Sequence, residues 1–231
     1  KLRAVLLRRV GCASVAALPG PARPGYGQAA NRAGDGITIG AGLAVLRAVA
    51  VGRETGAGAL VGGGSGAAAL LASASADGRC LLWDCREYAD AAQSAAQPQQ
   101  QALEPKAALE GHKGAVTDCE FHPSGRYLAT SGADFSWRLF DCETAQELQL
   151  QDGHMKECTA LSFQCDGSIL LTCDAGGVVL LWDVRSGQRI QVLKGHVEKI
   201  TSCSFNPNGF LACTASVDNT VRVWDIRRAA S

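Results

Sequence analysis

The stretch "ASVDNTVRVWDIRR", Ala215–Arg228, decides how this chain is read. A polar turn, Val217-Asp218-Asn219, leads into an alternating segment that closes on Trp224-Asp225. Nothing in it has the pairing of nucleophile and base that covalent catalysis needs. Its meaning comes from recurrence. The chain also carries "DAGGVVLLWDVRSG" at Asp174–Gly187, "ADFSWRLFDCET" at Ala133–Thr144 and "SADGRCLLWDCREY" at Ser75–Tyr88. A fixed spacing of this order marks a repeat architecture and takes precedence over other fold signals.

Counting from the pairs Gly111-His112, Gly153-His154 and Gly195-His196 puts the repeat in register. Four residues after each His stand Val116, Cys158 and Ile200, and seven after stand Cys119, Leu161 and Cys203. Phe121, Phe163 and Phe205 share a column, as do Gly125, Gly167 and Gly209, then Thr130, Thr172 and Thr214. Phe140, Trp182 and Trp224 follow, each with Asp next: Asp141, Asp183, Asp225. No insertion or deletion is needed across the three units. Segments such as "AVTDCEF", "RYLATSG" and "SWRLFD" are rich in Val, Thr, Leu and aromatic residues, and turn residues bound them, which predicts short strands. "HPSGR", "CDGS" and "NPNGF" supply Gly or Asn where a hairpin needs positive φ. Helical periodicity is absent. Each unit is therefore expected to be a small antiparallel sheet of about four strands.

Gly-His, then strands, then Trp-Asp at this spacing resembles the WD-repeat β-propeller. The resemblance implies an all-β fold in which His, Ser or Thr, Asp and Trp form a buried hydrogen-bond chain in each blade. Here His196, Thr214, Asp218 and Trp224 match it fully. His112, Thr130 and Asp134 end on Phe140, which has no donor, and His154, Thr172 and Trp182 have Gly176 in the Asp column, with Asp174 two residues early. Those two blades are expected to be less rigid than the last, in which Trp224 should be buried. The first unit offers Ser73, Asp77 and Trp83, with Glu54 and Thr55 where Gly-His should stand. The fourth histidine, His122, reads as a turn residue. About four blades of an expected seven or so are legible, bounded near 37–85, 111–142, 153–184 and 195–226, and the chain reads as part of a longer protein.

Outside the repeats, residues 1–36 hold six basic residues and no acidic one before Asp35. They read as a disordered arm, a transit-like segment or mistranslated sequence. Ile37–Gly52 is apolar but short and contains Arg47, which suits an eroded inner strand better than a membrane span. A Gly/Ala-rich insertion follows at 56–69, and residues 86–106 form an Ala/Gln-rich loop insertion. Net charge is zero, without the basic excess of a general nucleic-acid binder. The ten cysteines include no Cys-x-x-Cys, and two of them fill a core column. They read as buried thiols of a reducing compartment rather than disulfides or metal ligands. "VGGGSG" at Val61–Gly66 lacks the Lys-Ser/Thr of a phosphate loop. No catalytic, cofactor-binding or metal-binding residues are expected, and no small-molecule substrate.

A narrower resemblance lies in "DFSWRLFD", Asp134–Asp141. It is similar to the WD-repeat subunit of the U4/U6 small nuclear ribonucleoprotein, the pre-mRNA processing factor 4 family, over Leu71–Arg228. Trp137 lies outside the general WD-repeat pattern and carries much of the likeness. The resemblance implies a non-enzymatic nuclear scaffold of the tri-snRNP. Its protein partners would be a pre-mRNA processing factor 3-like protein and other tri-snRNP subunits, with U4/U6 RNA contacted indirectly. The alternative is a WD-repeat adaptor elsewhere, such as a cytoplasmic ubiquitin-ligase substrate receptor or a ciliary or trafficking scaffold. In either case the expected partner face is formed by the loops after each His and the turns before each Trp strand: Lys113, Phe135, Met155, Lys156, Glu157, Glu198, Lys199 and Asn219.

Overall fold

The computed structural model describes residues 46–53, 69–84 and 104–228, the first segment by its backbone alone. Residues 1–45, 54–68, 85–103 and 229–231 lie outside it. So do Glu54, Thr55, the proposed arm at 1–36 and most of both insertions. Every element described is a strand. The first sheet contains β1 (Leu46–Arg53), β2 (Ala69–Ser75), β3 (Cys80–Asp84) and β4 (Ala107–Leu109); the second contains β5 (Val116–Phe121), β6 (Tyr127–Gly132), β7 (Ser136–Asp141) and β8 (Glu147–Asp152). The third runs β9 (Cys158–Phe163), β10 (Ile169–Asp174), β11 (Val178–Asp183) and β12 (Arg189–Lys194). The fourth has three strands, β13 (Ile200–Phe205), β14 (Leu211–Ser216) and β15 (Val221–Asp225). All pairings are antiparallel and follow chain order.

The blade bounds read from the sequence need correcting. Each sheet's fourth strand lies beyond them, because the strand just before a Gly-His pair hydrogen-bonds to the preceding sheet: β4 to β3, β8 to β7, β12 to β11. The loop insertion also ends earlier than Lys106, whose N–H already donates to Leu82 O at 2.7 Å.

The core lies between sheets. One cluster joins Leu70, Ala72 and Leu82 of the first sheet to Val116, Cys119, Leu128 and Phe140 of the second. The next joins Trp137 and Leu139 to Leu161, Phe163, Leu170 and Trp182. The last joins Leu171, Val179 and Leu181 to Ile200, Cys203 and Ala212. This explains runs such as "VVLLWD". Strand alternation sends Val179 and Leu181 toward one neighbour and Leu180 and Trp182 toward the other, so both faces are apolar.

The innermost strands lie side by side, β1 against β5, β5 against β9, β9 against β13. Register shifts in these strands leave Thr117, Thr159 and Thr201 unpaired in the ladder, as single-residue bulges. A bulge re-aims a side chain, and here it aims a hydroxyl at the next sheet. Thr117 Oγ1 donates to Cys158 O at 2.7 Å and Thr159 Oγ1 to Ile200 O at 2.6 Å. This threonine column, five residues after each His, is identical in all three units, which is its signal in the sequence.

The turns at the other end make a second set of struts. His122 is more than a turn residue: Ser124 N–H donates to its Nδ1 at 3.0 Å, and its Nε2–H donates to Gly167 O at 3.2 Å. Its ring packs edge-on against Phe163. Gln164 repeats the contact one sheet on, its Nε2 donating to Gly209 O at 2.8 Å. Gly167 and Gly209 sit at φ 78° and 72°, where L side chains are strained.

Replacing Thr159 by Val keeps the shape and removes the donor to the third sheet's neighbour. Thr159→Val should cost about 1–2 kcal/mol, whereas Thr201→Val, whose described hydroxyl bond is within its own sheet and exposed, should stay within about 0.5 kcal/mol. Urea unfolding of the two variants compares them directly.

Candidate protein-binding face

Each described Gly-His unit builds a polar chain of His, Thr and Asp, to which the third and fourth units add Trp. In the third sheet Trp182 Nε1–H donates to Thr172 Oγ1 at 2.8 Å. Thr172 Oγ1 lies 2.7 Å from His154 Nε2, and His154 Nδ1 lies 3.0 Å from Asp174 Oδ2. A carboxylate only accepts, so Nδ1 carries the proton, Nε2 accepts from the threonine hydroxyl, and the threonine oxygen is left for the indole. Every polar atom in the chain is satisfied.

Asp174 thus does what the sequence assigned to the column of Gly176. It reaches His154 from the end of β10 rather than from the turn, and its Oδ1 accepts Gly176 N–H and Val178 N–H at 2.8 and 2.9 Å. The third unit is therefore complete, against the expectation that it would be looser than the last. The fourth unit repeats the chain, with Trp224 to Thr214 at 2.9 Å, Thr214 to His196 at 2.8 Å and His196 to Asp218 at 2.8 Å. Yet Trp224 is only half-buried, while Trp182 is 3% exposed. No described sheet lies against the outer side of β15, where Val221 and Val223 are exposed. The expectation of a buried Trp224 is corrected on that ground.

In the second unit His112 Nε2 meets Thr130 Oγ1 at 2.8 Å and Nδ1 meets Asp134 at 3.0 Å. Phe140 is buried without a donor, and the buried Arg138, paired with Glu147, closes over Gly111. In the first unit Trp83 donates to Ser73 at 2.9 Å. Asp77 does not join them: its carboxylate takes the Arg79 guanidinium at 2.9 Å near the surface.

The buried chain also holds the exposed loop above it. Asp134 accepts the N–H of Lys113 at 3.0 Å, and Asp218 that of Val197 at 3.3 Å, in each case the residue after the His. Those loops and the turns before β7, β11 and β15 lie at one end of the sheets, as the pairing of Val116 with Gly132 and of Ser131 with Trp137 requires. Lys113, Phe135, Met155, Lys156, Glu157, Glu198, Lys199 and Asn219 are all exposed there. Met155 is 91% and Val197 81% exposed, high values for apolar side chains. Among the described residues no cluster of three or more His, Cys, Asp or Glu is placed to hold a metal ion, and the eight cysteines described are free thiols, six of them buried.

Electrostatics follow the hydrogen bonds. Burial works against ionisation of Asp134, but bonds from Lys113 N–H, Ser136 and His112 outweigh it and hold its pKa down to about 2. Burial pushes His112 below the ordinary histidine range despite the pull of Asp134. Asp174 and Asp218 are likewise lowered; burial opposes the shift at Asp174, where His154 and two backbone N–H groups prevail, while the Thr220 hydroxyl leads at Asp218.

Repeated antiparallel sheets of three or four strands, seams between inner strands, and a His–Thr pair in each described Gly-His unit, joined by Trp in the last two, define a class of protein: the β-propeller built on the WD motif. The family model for the WD domain, G-beta repeat, matches residues 103–141, 145–183 and 187–225, half of the chain, and the chain belongs to that family. Each match starts in or just before the outer strand of one sheet and ends with the third strand of the next, the offset described above. Among curated proteins, the chain is 43% identical over 44 residues to the U4/U6 small nuclear ribonucleoprotein PRP4 of Saccharomyces cerevisiae. That match takes in 19% of this chain and 10% of the yeast protein. WD repeats mediate protein–protein contacts, and proteins built on them are generally non-enzymatic scaffolds.

Two outcomes follow from the network. Trp182→Ala should cost about 3–5 kcal/mol as a buried aromatic deletion, and Trp224→Ala clearly less, reversing the order that motif completeness suggests; chemical denaturation reads both. On acidification, the unfolded chain protonates its histidine below about 6.5 while folded His112 resists, so stability should begin to fall there. A further loss should come between about pH 4 and pH 2 as Asp134, protonated more readily when unfolded, is titrated. Thermal melts across this range, with Asp134→Asn flattening the acid limb, test it.

Proposed function

We propose that this chain is a non-enzymatic WD-repeat scaffold of the U4/U6 or tri-snRNP, working in pre-mRNA splicing in the nucleus through protein contacts on the loop end of its sheets. The observation that carries the splicing reading is the identity with a protein named as a U4/U6 small nuclear ribonucleoprotein. The motif "DFSWRLFD" supports it from a different side. Trp137 is fully buried and packs edge-on against Trp182, ring centroids 5.7 Å apart, across the seam between the second and third sheets. A tryptophan needed at that seam is a packing signature that a general WD repeat does not require.

The partner face on this reading takes the exposed residues at that end of the sheets: Phe135 and Met155 as its apolar members, Lys113, Lys156, Lys199, Glu157 and Glu198 as its charged ones, and Asn219. Apolar anchors with a charged rim are the usual division of labour in an interface, the first supplying affinity and the second orientation. The partner on this reading is a pre-mRNA processing factor 3-like protein, with other tri-snRNP subunits beside it. U4/U6 RNA is reached through them, since a neutral chain gains little from counterion release.

Lys156→Glu and Lys199→Glu, in variants with unchanged melting curves, should weaken capture of the factor 3-like subunit by about tenfold or more. Capture should survive nuclease treatment. Undiminished capture by both variants would place the contact on another face, and failure of the unmodified chain to capture any tri-snRNP subunit would leave the adaptor reading in its place.

A further inference from the structure

The residue five before each blade's Trp or Phe is left-handed in all four units: Gly78 at φ 89°, Phe135 at 69°, Gly177 at 81° and Asn219 at 63°. Glycine carries no Cβ and asparagine tolerates this region, whereas a bulky side chain is strained in it. Three units thus use a residue suited to the backbone, and the second uses an aromatic one. That aromatic is not buried in exchange, since Phe135 is 46% exposed. Strain kept at an exposed residue points to function rather than packing.

Its place is defined by its counterparts. A side chain at Gly78 would meet His112 O and Gly114 O, and one at Gly177 would meet His196 O and Glu198 O, in each case the Gly-His loop of the next unit. The same register directs Phe135 toward the loop at His154, above the seam where Trp137 and Trp182 pack. Met155, the most exposed apolar residue described, belongs to that loop. Two exposed lysines belong to the loops on either side of Phe135. The backbone of Lys113 is held by its N–H to Asp134, next in sequence to Phe135, and the Lys156 side chain lies along Gly176. Neither forms an ion pair among the described residues.

We infer that Phe135 and Met155 form an apolar anchor over the seam between the second and third sheets, which takes an aliphatic or aromatic side chain of an extended partner segment flanked by carboxylates, and that Phe135 decides which segments bind. The inference rests on the scaffold reading above and names the chemistry its partner presents. Lys113 and Lys156 supply the charge complementarity, with Glu157, further along the loop, limiting it to the near side.

The test separates anchor from fold. Phe135→Asn and Phe135→Gly install the residues used in the other units, so their melting temperatures should hold or rise by a few degrees. Binding is read on short synthetic peptides carrying one Leu, Met or Phe flanked by Asp and Glu, against the same peptides flanked by Lys. The unmodified chain should bind the acidic set at least tenfold more tightly than the basic set, and both Phe135 variants should lose at least tenfold on the acidic set. Loss of thermal stability in Phe135→Asn would show that the ring serves local packing and would overturn the inference. Equal peptide binding by variant and parent, or no preference for the acidic set, would overturn it too. If Lys156→Glu and Lys199→Glu still abolish capture of the splicing subunit in that event, the face stands and only the anchor falls; if they do not, the face falls with it.

Discussion

A threonine hydroxyl on a bulge of one inner strand, donating to a backbone carbonyl of the next, is worth about a kilocalorie per mole by itself. Its consequence is larger, because no single sheet here has a core of its own. Each sheet is apolar on both faces, and those faces become interior only where a neighbour lies at the right distance and rotation. Thr117 and Thr159 at one end and His122 and Gln164 at the other fix both quantities. The two apolar clusters at the second–third and third–fourth seams depend on that placement, as contacts between neighbours do in repeat proteins generally.

The His–Thr–Trp chains play a different part. In the last two sheets they run from the second and third strands to the end of the sheet, and their acidic end holds backbone N–H groups of the loop or turn there. A surface loop of small and charged residues would otherwise be free to sample many conformations. In the second and fourth units the residue after the His is hydrogen-bonded to a carboxylate that is itself held by the imidazole below, and in the third the carboxylate holds the adjoining turn at Gly176 and Val178. Side chains such as Lys113 and Val197 therefore leave a fixed backbone, and preorganised presentation reduces the entropy lost on binding. Rigidity below and exposure above are the same construction viewed from two ends.

Family membership and particular role rest on residues of different kinds. The Gly, His, Thr and Trp columns serve folding, so they recur in any WD repeat and establish the family without naming a partner. Trp137, outside those columns, is also buried, packed against Trp182 across one seam. The residues that would meet a partner are the exposed ones. At those positions the units differ from one another, as Lys113, Met155 and Val197 do after the three histidines. A repeat comparison is silent where the units diverge, and function on a shared fold lies in such divergence.

The strands, their hairpins and the His, Thr and Trp columns were legible in the sequence, because local physics sets them: β-branched and aromatic runs, Gly and Asn at positive φ, and one donor or acceptor at each fixed spacing. What the sequence did not disclose depends on what lies across a gap. Asp174 could replace the missing acid at Gly176 because the end of β10 passes close to His154, a distance no count of residues contains. His122 looked like a turn residue because its acceptor, Gly167 O, belongs to the next sheet. Asp77 fitted its column yet turned to Arg79, and Trp224, with the most complete motif, is the least covered of the three described tryptophans in these chains, because burial is conferred by a neighbouring sheet. Sequence by itself determined each unit and its repetition; only the tertiary structure decided which side chains meet across the seams, since those contacts join residues of different units whose closeness is a property of the assembled sheets.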